Sequence, residues 1–274
     1  MLNHPSVQQL IDRAKREVDI RFVGRIQKRT PRRTPKQDLD TFGSRYRPLI
    51  NGISIGHIEV TAGTLGGFVR RIGTKNGKIH VLSNNHVLAN ENGADIGDDI
   101  LQPGALDGGA RKANICARLS KFIALKRTVN NRIDAAIGAV VDGVDIEPSR
   151  ICGNSGLRLL GSRSLDTIEH DEVAKAGRTT GLTWGRITAF EVDDVVVAYD
   201  IGNVKFDGQI EIEGSELRSF SDGGDSGALI LDPNGYAIGQ LFAGTESGGK
   251  NGQGLTYASP IQAVLKKLKV KFVV

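Results

Sequence analysis

From about residue 50 onward the chain is cut into short apolar segments by glycine turns, and this punctuation limits the fold more than any other feature. The segments are Ile53–Val60, Gly66–Ile72, Ile79–Ser83, Asp99–Gln102, Ile115–Leu119 and Asp134–Val141. After a looser region come Glu172–Ala176, Leu182–Phe190, Val195–Asp200, Gln209–Glu213, Gly227–Leu231 and Ala237–Phe242. Thr74-Lys-Asn-Gly77, Pro103-Gly104, Asp107-Gly-Gly109, Asn234-Gly235 and Ser247-Gly-Gly249 separate them. Short strands at near-regular spacing, with no helical stretches between, predict an antiparallel sandwich or barrel. The 35 glycines and the single Met and Trp fit strands joined by turns better than a helical bundle.

The ends of the chain read differently. Val7, Leu10, Ile11, Ala14 and Val18 repeat at helical spacing and predict an amphipathic helix over 5–22. Residues 25–36 mix cations with two prolines and read as an extended linker. The first 50 residues hold 12 Lys and Arg against 5 Asp and Glu, whereas the other 224 hold 24 against 26. The basic character therefore belongs to this segment. It could pack on its own barrel, mediate assembly, block a cleft, or contact nucleic acid through its charge. At the other end, Ser259-Pro260 opens a predicted closing helix to Leu268, with Ser259 as cap and Pro260 in the first turn. The expected organisation is a basic N-terminal piece (1–50), two strand-rich halves (51–150 and 151–258) and a C-terminal helix and tail (259–274).

No apolar run approaches the roughly 18 residues of a membrane span. The N-terminus lacks the pattern of a secretory signal, and Cys116 and Cys152 alone make no disulfide framework. A cytoplasmic location with reduced thiols is the expectation.

One loop carries chemistry: Ser221-Asp222-Gly223-Gly224-Asp225-Ser226-Gly227-Ala228, followed by the apolar Leu229-Ile230-Leu231. Glycines there let the backbone turn sharply and bring its N–H groups close to a bound group. A hydroxyl on such a turn suits a nucleophile with an oxyanion hole, although Gly-Asp-Ser clusters are also ordinary turn vocabulary. A base and an orienting acid upstream would decide between the two. Val81-Leu-Ser-Asn-Asn-His86 delivers His86 just past an apolar strand, and Ile133-Asp134-Ala-Ala-Ile137 places Asp134 at the head of another. A carboxylate in that apolar setting needs a partner, and an imidazole N–H is a suitable one. Asp95, Asp98, Asp99 and Asp107 are rivals, but they sit among turn residues where solvated aspartates are expected.

The order His86, Asp134, Ser226 resembles that of the chymotrypsin-like serine peptidases. Ser83-Asn-Asn-His86, Ile133-Asp134-Ala-Ala-Ile137 and Gly224-Asp225-Ser226-Gly227 match that family's three motifs, and the similarity covers roughly residues 52–268. With Gly177-Arg-Thr-Thr-Gly181-Leu-Thr-Trp-Gly185, the chain is most similar to narrow-leaf-type plant proteases and their bacterial relatives. The resemblance implies an all-β fold of two six-stranded antiparallel barrels, with the site in the cleft between them. It implies a serine endopeptidase with Ser226 as nucleophile, His86 as base, Asp134 as orienter and the N–H groups of Gly224 and Ser226 as oxyanion hole. It also implies a protein or peptide substrate and no metal or cofactor. Its specificity pocket maps to Phe220 and to Phe242, Ala243 and Gly244. With no carboxylate at the mapped base, an apolar or small residue is expected there. The rival reading is a silent module on the same fold that binds peptides through its strand edge.

Secreted members are activated by a cleavage whose new amine pairs with the Asp before the serine. Leu49-Ile50-Asn51-Gly52 is similar to such a start, but Arg47 precedes Pro48. The expectation is therefore that Asp225 is satisfied by other partners, without cleavage.

Overall fold

The computed structural model describes residues 23–28, 41–74, 77–153, 156–168, 170–215 and 218–274. The helix expected over 5–22 and most of the basic linker lie outside the described residues.

The all-β expectation holds. In the second half, Glu172–Gly177, Gly181–Val192, Gln209–Gly214, Leu255–Pro260, Tyr236–Gly244 and Leu229–Leu231 pair antiparallel in that order, and the last returns to the first. Closure satisfies every strand's ladder and turns one face of each inward. Val173, Ile210, Ile212, Ile230, Ile238 and Leu241 fill that interior. Tyr236–Gly244 is longer than Leu229–Leu231, whose pairing with it stops at Gln240. Ala243 and Gly244 therefore offer a ladder edge beside the barrel.

The first half is a curled half-barrel. Gly67–Arg71, Ile79–Ser83, Ala136–Val140, Ile115–Phe122, Asp99–Leu101 and Ser54–His57 follow one another across the sheet, with Gly63–Thr64 at one margin. The opposite margin is covered by Val270–Phe272, which crosses from the C-terminus to pair with Gly67–Arg71. The helix before it spans Ile261–Leu268 and buries Ile261, Val264, Leu265 and Leu268 in a core cluster shared by both halves, beside the strands Tyr236–Gly244 and Leu255–Pro260. Its start differs from the expected cap. Pro260 holds the N-cap position, and the Ser259 hydroxyl donates to Gln209 Oε1 at 3.0 Å instead. Ser259 is buried within the barrel strand Leu255–Pro260, so that hydroxyl must find a partner inside the barrel.

The halves meet along a hydrogen-bonded seam. Thr64 donates its N–H to Ser226 O at 2.8 Å and its hydroxyl to Gly224 O at 2.8 Å, while accepting the Arg178 N–H at 3.0 Å. Gly227, at φ 98°, turns beneath this seam so closely that a Cβ would lie 2.1 Å from Ser83 Oγ and 2.3 Å from Thr64 O. Gly227→Ala combines a glycine-only conformation with a clash against fixed backbone and should cost about 3 kcal/mol or more. Thermal denaturation should show a Tm at least roughly 6 °C below wild type. An unchanged Tm would mean that the seam is not packed as described.

Candidate active site

The strand Ile79–Ser83 ends where Asn84 takes an extended conformation (φ −78°, ψ 161°) and the short helix Asn85–Leu88 begins. Asn84's own side chain does not cap that helix; it donates to Asp134 O at 2.7 Å. Asp134 Oδ1 accepts the Asn85 N–H at 2.6 Å and the His86 N–H at 3.4 Å instead. The carboxylate thus pins the turn that carries the histidine. Its other oxygen lies 2.5 Å from His86 Nδ1 and accepts the Tyr199 hydroxyl at 2.8 Å. A carboxylate oxygen can only accept, so Nδ1 carries the ring proton and Nε2 is left as a lone-pair base.

Asp134 is fully buried, so its four donors stand in for water. Tyr199 comes from the strand Val195–Tyr199 and lies edge-on to the His86 ring, 5.8 Å between centroids. Burial, together with the charge of Asp134 and the hydrogen bond to it, pushes the Tyr199 phenol well above its ordinary value of 10, which keeps it a neutral donor. Nothing in the sequence motifs marked Tyr199; its alternating strand was the only signal.

Ser226 is 1% exposed and His86 7%. Gly63 packs against both neighbourhoods, because a Cβ there would strike the Val87 side chain and the Ser226 carbonyl. The Ser226 hydroxyl donates to Phe242 O at 3.3 Å, and His86 Nε2 is buried with no hydrogen-bond partner among the described residues. Of the two N–H groups expected to form an oxyanion hole, those of Gly224 and Ser226, neither meets an acceptor among the described residues. Gly224 stands at φ 99°, a conformation that lets successive N–H groups face the same space.

The expected specificity residues divide. Phe242, Ala243 and Gly244 lie on the strand beside Ser226, with the Phe242 ring tilted at 45° against Phe206, 4.7 Å between centroids. The Phe220 ring belongs to the core of the closed barrel, against Gly185 and with Lys175 above it at 5.9 Å. Its backbone carbonyl accepts the Thr183 hydroxyl at 2.7 Å.

Behind the serine, Asp225 is fully buried. It accepts the N–H groups of Thr179 (2.8 Å), Thr180 (3.2 Å) and Asp222 (2.9 Å) and the Thr180 hydroxyl (2.7 Å). Lys175 Nζ, equally buried, lies 3.3 Å from its carboxylate. Burial alone would raise the Asp225 pKa, but the Lys175 ammonium and these hydrogen bonds more than reverse it and hold the group below its ordinary 3.8. An internal lysine therefore supplies the cation beside Asp225, as expected of a carboxylate satisfied without cleavage. Leu49–Asn51, the stretch similar to such a terminus, is a buried strand paired with Ile146–Ile151.

Three of the rival aspartates also have partners, Asp99 pairing with Arg118 Nη1 at 2.9 Å. His57 Nε2 lies 3.1 Å from Asp98 Oδ2. Asp107, read as a solvated turn residue, is instead a buried bidentate partner of Arg178 and accepts the Ser54 hydroxyl at 2.6 Å. Buried arginine requires that pairing, which a turn sequence gives no sign of.

Solved structures share this architecture at low sequence identity. Thermobifida fusca Protease A matches with a TM-score of 0.55 and 18% identity, over 82% of this chain and 98% of that one. A glutamic acid specific serine protease matches with a TM-score of 0.56 and 20% identity, over 82% and 100%. A Nocardiopsis protease matches with a TM-score of 0.54 and 19% identity, over 82% and 98%. The fold is that of the chymotrypsin-like serine proteases. No family model and no curated protein matches the sequence. His86 and Asp134 are in direct contact, and Ser226 lies on the loop that is hydrogen-bonded to Thr64 at the seam between the halves.

Lys175→Met leaves Asp225 buried without its cation and should cost about 3–5 kcal/mol. Because the folded Asp225 pKa is depressed, the pair's contribution is present above the unfolded value near 3.8 and lost as pH falls below it. Denaturant titrations should therefore show the full deficit of Lys175→Met at pH 7 and a smaller one below about pH 4. A deficit of the same size at both would remove Asp225 from the explanation.

Proposed function

We propose that this chain is a serine endopeptidase that forms an acyl-enzyme on Ser226. The observation that carries this is the fully buried Asp134 holding His86 in the tautomer whose Nε2 is a free base, in a fold shared with serine proteases. A buried ring nitrogen without a partner is costly, and a hydroxyl donor is what it lacks.

The resting Ser226 hydroxyl donates to Phe242 O, and in this mechanism it turns instead to His86 Nε2, which has no other partner among the described residues. His86 then takes the proton as Oγ attacks the peptide carbonyl. The negative charge that develops on the carbonyl oxygen is met by the N–H groups of Gly224 and Ser226, and Asp134 stabilises the imidazolium. That proton passes to the leaving amine, and water releases the acyl group by the same route in reverse. The Lys175–Asp225 pair contributes by fixing the loop on which both N–H groups sit. The strand Tyr236–Gly244 takes an extended substrate along its edge at Ala243 and Gly244, and the residue at the scissile bond is apolar or small.

A fluorophosphonate probe should label the wild type once, and Ser226→Ala not at all. Asp134→Asn should keep the fold but lower kcat by roughly four orders of magnitude, since the ring then loses the tautomer it needs. Absence of labelling, or equal labelling of Ser226→Ala, would leave a silent peptide-binding module on the same fold.

A further inference from the structure

The free edge at Ala243 and Gly244 is occupied by the chain itself. Gln27–Lys28 forms a two-residue strand that pairs antiparallel with it, Gln27 opposite Gly244 and Lys28 opposite Ala243. On its other side the same segment runs parallel to Val195–Tyr199, with Gln27 opposite Ala198, and Ile26 O accepts the Ala198 N–H at 3.2 Å. Val23 and Ile26 pack on the apolar cluster that contains Phe206, Phe242 and Tyr199. The segment therefore fills a slot between two strands, closed by main-chain hydrogen bonds on both sides as an extended peptide ligand would close it.

Its direction matters. The chain advances from Gly244 to Ala243, so the next position along the edge is Phe242, whose carbonyl accepts the Ser226 hydroxyl. A peptide laid in this register presents to Ser226 the carbonyl of the residue opposite Phe242. The residue opposite Ala243 is then the second one before the scissile bond.

At that position sits Lys28. Its ammonium, 17% exposed as a side chain, contacts Glu91 and lies 2.6 Å from Asp200 Oδ2. Glu91 is built for such a partner. It is buried, its side chain is 5% exposed, and its one other described hydrogen bond is from the Ile201 N–H at 3.0 Å. Asn90, Glu91 and Asn92 all stand at positive φ (45°, 52° and 76°), a run that L residues adopt only under constraint. The constraint is visible: the Asn85 side chain donates to Asn92 Oδ1 at 2.8 Å and accepts the Asn92 backbone N–H at 3.0 Å, and the Asn92 side chain also grips Leu125 at both its N–H and its carbonyl. Strained backbone held by dedicated contacts, three residues past the His86 helix, directs a carboxylate into the slot. Burial pulls the Lys28 pKa down, and the hydrogen bonds and charges of Asp200 and Glu91 more than restore it, leaving it above its ordinary 10.5.

We infer that Gln27–Lys28 occupies the substrate groove as an internal surrogate, and that Glu91 and Asp200 form a subsite selecting Lys or Arg as the second residue before the scissile bond. This rests on the peptidase reading for the word substrate, on the strand pairing for the groove, and on the Lys28 contacts with Glu91 and Asp200 for its cation preference. Until the surrogate leaves, the groove is shut to extended peptides.

The test uses the full chain carrying Ser226→Ala with Lys28→Glu, which sets a third carboxylate beside Glu91 and Asp200 and expels the strand. Lys28→Ala serves as the second variant should Lys28→Glu fold poorly by circular dichroism. The probes are fluorescein-labelled peptides Val-Gly-Arg-Ile-Gln-Lys, the norleucine version and the glutamate version. Fluorescence anisotropy should show the lysine peptide binding at least tenfold tighter than the norleucine peptide, with the glutamate peptide weakest. The chain carrying only Ser226→Ala should bind all three more weakly. Adding Glu91→Gln and Asp200→Asn should abolish the preference. Equal affinity for lysine and norleucine peptides would overturn the subsite, and no gain over the chain that keeps Lys28 would overturn the surrogate. In parallel, fluorophosphonate labelling of Ser226 should be at least tenfold faster in Lys28→Glu than in wild type. Labelling absent from every chain would sink the peptidase reading while the anisotropy still decides the groove.

Discussion

The Asp134 carboxylate has no access to water, and the site is arranged around what it takes in place of water. Its donors come from three places: the His86 ring, the backbone at Asn85 and His86, and the Tyr199 hydroxyl from a hairpin of the second half. Removing any one leaves a buried acceptor short, so the group couples the histidine's tautomer to the docking of the two halves. His86 is thereby held as a base by the same contacts that hold the fold together.

The serine loop follows a parallel logic with the opposite outcome for charge. Asp225 is buried too, but Lys175 neutralises it from within the closed barrel, and Thr179, Thr180 and Asp222 saturate the remaining lone pairs. The loop between Gly223 and Gly227 is therefore set by internal chemistry and needs no new chain terminus. The edge beside Ser226 is paired with Gln27–Lys28. Under the proposed function, the serine loop is set while the groove is filled, which separates readiness for chemistry from admission of substrate.

Much of this was legible in the sequence because it depends on short-range patterns. The apolar segments marked twelve of the strands, and the motifs around His86 and Asp134 led to two side chains that do meet. Other strands gave weaker signals. Gly202–Phe206 is a half-exposed hairpin arm, and Leu255–Pro260 follows a glycine-rich loop and runs straight into a helix. Lys175, Arg178 and Asp107 were unreadable for another reason: a charged side chain looks solvated until the partner that buries it is known. Gln27–Lys28 is the extreme case, two polar residues in a run of cations and prolines, made into a strand only by the edges on either side.

Acylation of Ser226 by means of His86 is measured most directly by pre-steady-state kinetics. Full-length chain carrying Lys28→Glu, mixed with excess nitrophenyl ester, should release a burst of about one nitrophenol per chain. The intact mass should rise by one acyl group, located on Ser226, and the burst should vanish in His86→Ala. A steady release with no burst, or an acyl group found on another residue, would contradict the account.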